Sequence, residues 1–194
     1  IGRRGSVNMW VTLSGTEGHV AYPHRADNPL RRLADLLPRL RDLPLDDGSR
    51  WFQPSNLELT DVRTGNDAAN VIPSSAIVRF NIRFNDLHTG ASLEAELKAR
   101  AARVTQAAGV ALTINSQISG EAFLTQPGPF VDLVRSVVTQ ETNRQPVLST
   151  SGGTSDARFV KNHCPVVEFG LLNATMHKLD EAVSVTDLRT LSEI

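Results

Sequence analysis

Two loops hold much of the chemistry this chain of 194 residues could offer. Ser151-Gly152-Gly153-Thr154-Ser155-Asp156 sets two glycines before a small polar run. Glycine lets a backbone approach a ligand closely, and outward amides that open a helix suit a carboxylate or an oxyanion. The same residues also suit a plain glycine turn in which Ser155 or Asp156 caps a helix. The second loop, Leu172-Asn173-Ala174-Thr175-Met176-His177, ends on a histidine with Glu181 four residues later. Neutral imidazole is a common zinc ligand, and a nearby carboxylate can hold its other nitrogen. A catalytic zinc takes about three protein ligands, however, and Asp156, His163, Glu168 and Glu181 show no ligand spacing around His177. By this chemistry alone His177 reads as a surface histidine.

A third loop, TEGHVAYPHRAD after Gly15, carries His19, Tyr22 and His24. The histidines stand five apart with Pro23 between them, so they are not the i,i+4 pair of a helical zinc site. Either can donate to a developing oxyanion, and Tyr22 adds a donor; a polar loop whose tyrosine packs on its own domain is the other reading. Arg79 and Arg83 share a strand face, where they bind an anion or are simply solvated. Cys164, before Pro165, reads as a small core residue rather than a nucleophile. The chain has no GxSxG, P-loop, HExxH or GxGxxG pattern, which argues against the serine-hydrolase, nucleotide and zincin classes those motifs mark.

Hydrophobic periodicity predicts the elements that position these residues. Val7, Met9, Val11 and Leu13 alternate across 6–13 as in a strand with one buried face. Asn28 can cap and Pro29 can open a helix striped by Leu30, Leu33, Leu37 and Leu40, in which Pro38 predicts a kink or early stop. Residues 55–62 read as a second strand with Leu57 and Leu59 inward. In a third, Ala76, Val78, Phe80, Ile82 and Phe84 face one way, and Ile77, Arg79, Asn81 and Arg83 the other. Leu93, Leu97, Ala101, Val104 and Ala108 stripe a second helix that Gly109 can end, and Val110, Leu112 and Ile114 make a fourth strand. This β-α-β-β-α-β order predicts an α/β fold whose first domain, 5–119, is ferredoxin-like, with two helices on one face of an antiparallel sheet. Beyond it, the pattern predicts helices at 130–141 and 155–161, strands at 146–149 and 165–170, and a final helix starting around 185–187. These are the parts of a βαβ unit, and its parallel strands would bring the loops 151–156 and 172–177 to one edge.

Composition narrows the function classes. Twenty Lys+Arg against 21 Asp+Glu give a formal net charge of -1, so no positive excess exists to neutralise a phosphate backbone and no nucleic-acid partner is expected. One cysteine cannot form an internal disulfide or a thiolate cage, which predicts a reducing, cytoplasmic location. No apolar run reaches a membrane span of roughly 18 to 20 residues, so no membrane association is expected. The chain begins at Ile1 with neither a methionine nor a signal-like stretch.

GRRGS at 2–6, GHVAYPH at 18–24, NVIP at 70–73, SGGTSDARF at 151–159 and NATMHKLDE at 173–181 occur in one order across the chain. Together they resemble the succinyl-diaminopimelate desuccinylase family of the dinuclear-zinc aminoacylase and carboxypeptidase superfamily. The resemblance implies a catalytic α/β domain interrupted by a ferredoxin-like lid that also forms a homodimer. On this reading residues 1–4 end an N-terminal catalytic segment, 5–119 are the lid, and 120–194 are the C-terminal part of the catalytic domain. The chain would then be a fragment, inactive alone, whose C-terminal part is marginal or rearranged unless something covers its apolar faces. The implied reaction is metal-dependent hydrolysis of N-succinyl-LL-2,6-diaminopimelate to succinate and LL-2,6-diaminopimelate in lysine and cell-wall biosynthesis. It uses two zinc ions per complete site, with cobalt as the alternative metal.

All but one of the family's metal ligands come from an upstream half, and the remaining one matches His177. His19 matches a lid histidine that reaches the partner subunit's site and stabilises the tetrahedral oxyanion. Tyr22 and Asn70 match lid residues that contact substrate across the dimer, with Ala69 where some relatives have a second asparagine. Arg3, Ser6, Arg83, Thr154 and Asn173 match positions that bind the carboxylate-bearing arms of the small-molecule substrate, a use suited to arginines and backbone amides. The alternatives are another deacylase of the superfamily, such as an acetylornithine deacetylase, or, for the chain alone, a noncatalytic dimerisation module.

Overall fold

The computed structural model describes residues 1–41, 45–108, 111–172 and 174–194. In chain order its main elements are β1 (Gly2–Arg3), β2 (Gly5–Ser14), β3 (Gly18–His19), α1 (Pro29–Arg41), β4 (Asn56–Arg63), β5 (Val71–Ile72), β6 (Ser75–Phe84), α2 (Gly90–Ala108), β7 (Leu112–Gly120), β8 (Phe123–Leu124), α3 (Pro129–Thr142), α4 (Ala157–Val160) and α5 (Val185–Glu193). They fall into two compact units, Arg4–Ala122, and Ile1–Arg3 with Phe123–Ile194.

In Arg4–Ala122 a four-stranded sheet runs β4-β6-β2-β7, antiparallel throughout. With α1 between β2 and β4 and α2 between β6 and β7, this is the ferredoxin-like arrangement. The alternating sets on β2 and β6 bury completely or almost so, and Leu33, Leu36 and Leu40 of α1 with Leu93 and Leu97 of α2 close the same core. Each such side chain contributes roughly 1.5–3 kcal/mol by leaving water, so one continuous face holds both helices on the sheet. The helices leave the other sheet face to the polar set Ser6, Asn8, Arg79 and Asn81.

Several details differ from the periodicity. Asn28 caps α1 by accepting from the Leu30 N–H at 3.0 Å, but Leu30 is 38% exposed while Leu36 is 2% exposed. The buried face of α1 therefore runs through 33, 36 and 40, with Leu37 at its margin. The helix continues through Pro38 to Arg41. Leu57 packs on the core, but Leu59 is 38% exposed, because β4 is an edge strand whose register shifts between Leu59 and Asp61. Ala101 is fully buried as expected; the side chains of Val104 and Ala108, and Gly109 and Val110, lie outside what is described.

The other unit has α3 and α5 where helices are predicted, with Ser184 capping α5 through the Asp187 N–H. Its predicted βαβ pair does not form: 146–149 and 165–170 are not strands, and α4 is a single turn. The physical reason lies in their partners. Ser149 O receives one bond from the Ile1 nitrogen at 2.9 Å, and Val166 exchanges bonds with the Thr125 side chain instead of a neighbouring backbone. One bond at Ser149 and a side-chain exchange at Val166 do not make a backbone ladder. The paired strands described in this unit are β1 and β8, two residues each. Cys164, read as a core residue, is exposed. No helix of the described residues is long and apolar enough to cross a membrane.

Candidate functional site

Within Arg4–Ala122 the candidate residues gather in two places. The first is the loop 16–27. Backbone bonds between Thr16 and Asp27, at 2.9 and 3.0 Å, close its neck. The β3 to β5 pairing sets Gly18 opposite Ile72 and His19 opposite Val71, and Val20 N–H donates to Asn70 O at 3.1 Å. His19 and Asn70, far apart in sequence, thus stand side by side, both exposed. Gly18 is required for this, since a Cβ there would come within 2.7 Å of Ala26 Cβ.

His19 Nδ1 accepts the Ala21 N–H at 3.1 Å. An accepting Nδ1 leaves the proton of a neutral imidazole on Nε2, so the exposed edge of the ring is a donor. The Tyr22 ring lies 5.9 Å from that of His19 and 6.3 Å from that of His24, with the Arg25 guanidinium 5.4 Å from its centroid. At 53% exposure Tyr22 does not pack into its domain; its ring contacts lie within its own loop, tilted against His19 and edge-on to His24. The loop therefore offers neutral and cationic donors together, the chemistry that receives a developing oxyanion.

The second place is the end of the open sheet face. Ser6 pairs with Arg83 in the β2 to β6 register, and Arg83 pairs on its other side with Asn56 of β4. Asn81 Nδ2 donates to Ser6 Oγ at 3.1 Å and to Asn8 Oδ1 at 2.9 Å. A Ser6 oxygen that accepts keeps its own proton to give, the polarity a carboxylate ligand needs. Arg79 is drawn away, with Nε on Thr60 Oγ1 at 3.0 Å. The neighbour that adds charge beside Arg83 is instead Arg4, which donates to Asn56 Oδ1 at 2.7 Å. Burial, and then the like charge of Arg83, pull the Arg4 guanidinium below its ordinary pKa. Arg4 was not singled out in the sequence, although it stands inside GRRGS; the missing signal was the strand register that carries it toward Asn56 and Arg83.

In the other unit Arg3 spans from β1 to the glycine loop. Its Nε meets Glu168 Oε2 at 2.9 Å, and its Nη1 donates to Ser151 O at 2.7 Å and Gly2 O at 3.1 Å. Gly152 adopts φ +107, and a Cβ there would stand 3.2 Å from Arg3 Cζ, so the loop needs glycine for both conformation and space. Thr154 is half-buried in the same loop. Neither cap reading holds, because Asp156 makes no side-chain cap bond and Ser155 Oγ is buried without a partner among the described residues. His177 is exposed in a turn at φ +60, a left-handed backbone uncommon for a residue with a side chain. Asn173 lies outside the described residues. Since 146–149 and 165–170 are not strands, parallel-strand geometry no longer argues that the loops 151–156 and 172–177 meet.

The residues present do not by themselves fit a metal centre. Among the described residues no group of three or more His, Cys, Asp and Glu side chains could hold an ion, and Glu168, one carboxylate near His177 in sequence, is committed to Arg3.

A family model described as peptidase dimerisation domain matches residues 1–108. The chain is 57% identical over 194 residues to a succinyl-diaminopimelate desuccinylase of Novosphingobium aromaticivorans, covering 100% of this chain and 50% of that protein. It is 55% identical over 194 residues to one of Paracoccus denitrificans, covering 100% of this chain and 51% of that protein. The chain spans about half the length of the curated relatives it matches. Among solved structures, a tripeptidase from Staphylococcus aureus superposes with TM-score 0.79 at 15% identity, and aminopeptidase PepT from Bacillus cereus with 0.73 at 16%; each match covers 100% of this chain and 50% of the other. At such identities these structures speak for the fold.

Proposed function

The chain belongs to the peptidase dimerisation domain family, and from that membership we propose that it supplies the dimerisation domain and part of the catalytic domain of a metal-dependent amide hydrolase. The substrate is N-succinyl-LL-2,6-diaminopimelate, cleaved to succinate and LL-2,6-diaminopimelate, and the working form is a homodimer. The observation that carries this reading is identity of 55 to 57% along the whole chain to relatives of that one name. The reaction's metal ions, zinc on this reading, would rest on residues beyond those described here together with His177.

The chain's own residues have separable tasks. His19, its proton directed to Nε2 by the Ala21 amide, donates to the carbonyl oxygen as it gains charge, and Tyr22 borders the same oxygen. This hydrogen bond strengthens as the carbonyl becomes tetrahedral, so it accelerates the reaction instead of merely holding substrate. Arg83 with Ser6, and Arg3 with Thr154, take carboxylates; Asn70 and Asn173 add polar contacts. A substrate with several carboxylates matches this spread of guanidinium and hydroxyl donors better than N-acetylornithine does.

The test is turnover by the full-length hydrolase that contains this segment. It should prefer N-succinyl-diaminopimelate to N-acetylornithine, and preference for the acetyl compound would replace the substrate while keeping the reaction. His19→Ala should lower kcat by about 10²–10³-fold with metal content unchanged. Loss of metal in that variant would give His19 a different role.

A further inference from the structure

We propose that Glu168 is a positioning residue for the carboxylate-binding arginine, holding Arg3 so that its free terminal nitrogen and the Ser151 to Thr154 loop present one anion subsite. The inference rests on the desuccinylase reading and deepens it. Arg3 carries its five N–H donors in a planar fork. Glu168 Oε2 takes Nε at 2.9 Å, and the carbonyls of Ser151 and Gly2 take Nη1. Among the described residues, the donors these bonds leave are the two on Nη2. Both partners of the pair are largely covered, with side-chain exposures of 20% and 25%, so the guanidinium is held in one orientation.

The glycine loop is part of the same arrangement. Ser151 accepts from Arg3 through its carbonyl, while its N–H and Oγ both engage Ser149 Oγ. Gly152 lies against the guanidinium so closely that a side chain there would press on it. Arg3 is thus fixed on one side by a carboxylate and on the other by the loop whose Thr154 is read as a substrate contact. Without the Glu168 charge, the long arginine side chain regains its rotamers, and the loop loses the group that orders it. Such a residue acts on substrate binding through Arg3 and touches no reacting atom.

The experiment uses the full-length hydrolase with N-succinyl-diaminopimelate as probe. Glu168→Ala should raise KM about tenfold, the scale of one charge-assisted hydrogen bond, with kcat within about twofold. Glu168→Gln keeps an acceptor for Nε and should recover part of that loss, while thermal melting shows whether each variant folds. In an Arg3→Ala background, Glu168→Ala should add less than about twofold, because its effect runs through the missing arginine. An unchanged KM in Glu168→Ala, or a full additional tenfold in the Arg3→Ala background, would overturn the proposal. Failure of the wild-type enzyme to hydrolyse the succinyl substrate would overturn the underlying reading instead, so the two failures are distinct.

Discussion

Arg4–Ala122 buries its apolar residues more completely than the unit of Ile1–Arg3 with Phe123–Ile194, where Val131 and Val138 are buried but many others are not. In the first, Val7, Met9, Phe80 and Ile82 are completely buried between sheet and helices. In the second, Leu179 is 94%, Val147 87% and Leu172 74% exposed, and the described strand pairing is two residues long. An alternating segment becomes a sheet strand when the same unit offers a neighbour for its backbone and a helix for its face. Among the described residues 146–149 and 165–170 have no such backbone ladder, and they stay irregular.

The comparison can be broken by mutation. Phe80→Ala removes a side chain at the centre of the first core and should cost about 3–5 kcal/mol in urea unfolding. Gly152→Ala, at φ +107 and against Arg3, should cost about 1–3 kcal/mol in the second unit, a backbone effect where packing is sparse. The next test is acid stability. Asp46 is nearly buried beside His88; burial alone would raise its pKa, but hydrogen bonds from Ser55, Gly48 and Asn85 outweigh burial and leave it below the ordinary carboxylate value. The unfolded chain therefore protonates this group first. Its contribution is complete above the unfolded value of about 3.9 and is lost as pH falls through the lower folded value. Asp46→Asn should flatten that acid limb, and an unaltered pH profile would remove Asp46 from the account. Leu179→Ala should be the smallest change, within about 0.5 kcal/mol. If it rivals Phe80→Ala, the contrast between the units is wrong.

What the sequence made legible follows the same division. The β-α-β-β-α-β order could be read because the two central strands, β2 and β6, alternate between buried and partly covered positions and each helix has an apolar stripe. The exposure of Leu59 could not, because it depends on a register shift at an edge. His19 and Tyr22 were readable as donors from residue type. The Ala21 amide on His19, the approach of Asn70 and the turn of Glu168 toward Arg3 required the fold. Arg4 shows the limit most clearly, since it adjoins Arg3 in the sequence yet belongs to Arg4–Ala122, where Asn56 of β4 holds it.

The most direct test of the account is complementation between two inactive full-length variants, His19→Ala and His177→Ala. If the lid histidine serves the partner subunit's site in a two-fold dimer, mixed dimers contain one intact site, and an equal mixture after subunit exchange should recover about one quarter of wild-type activity. Confirmed mixed dimers with no recovery would contradict the shared site.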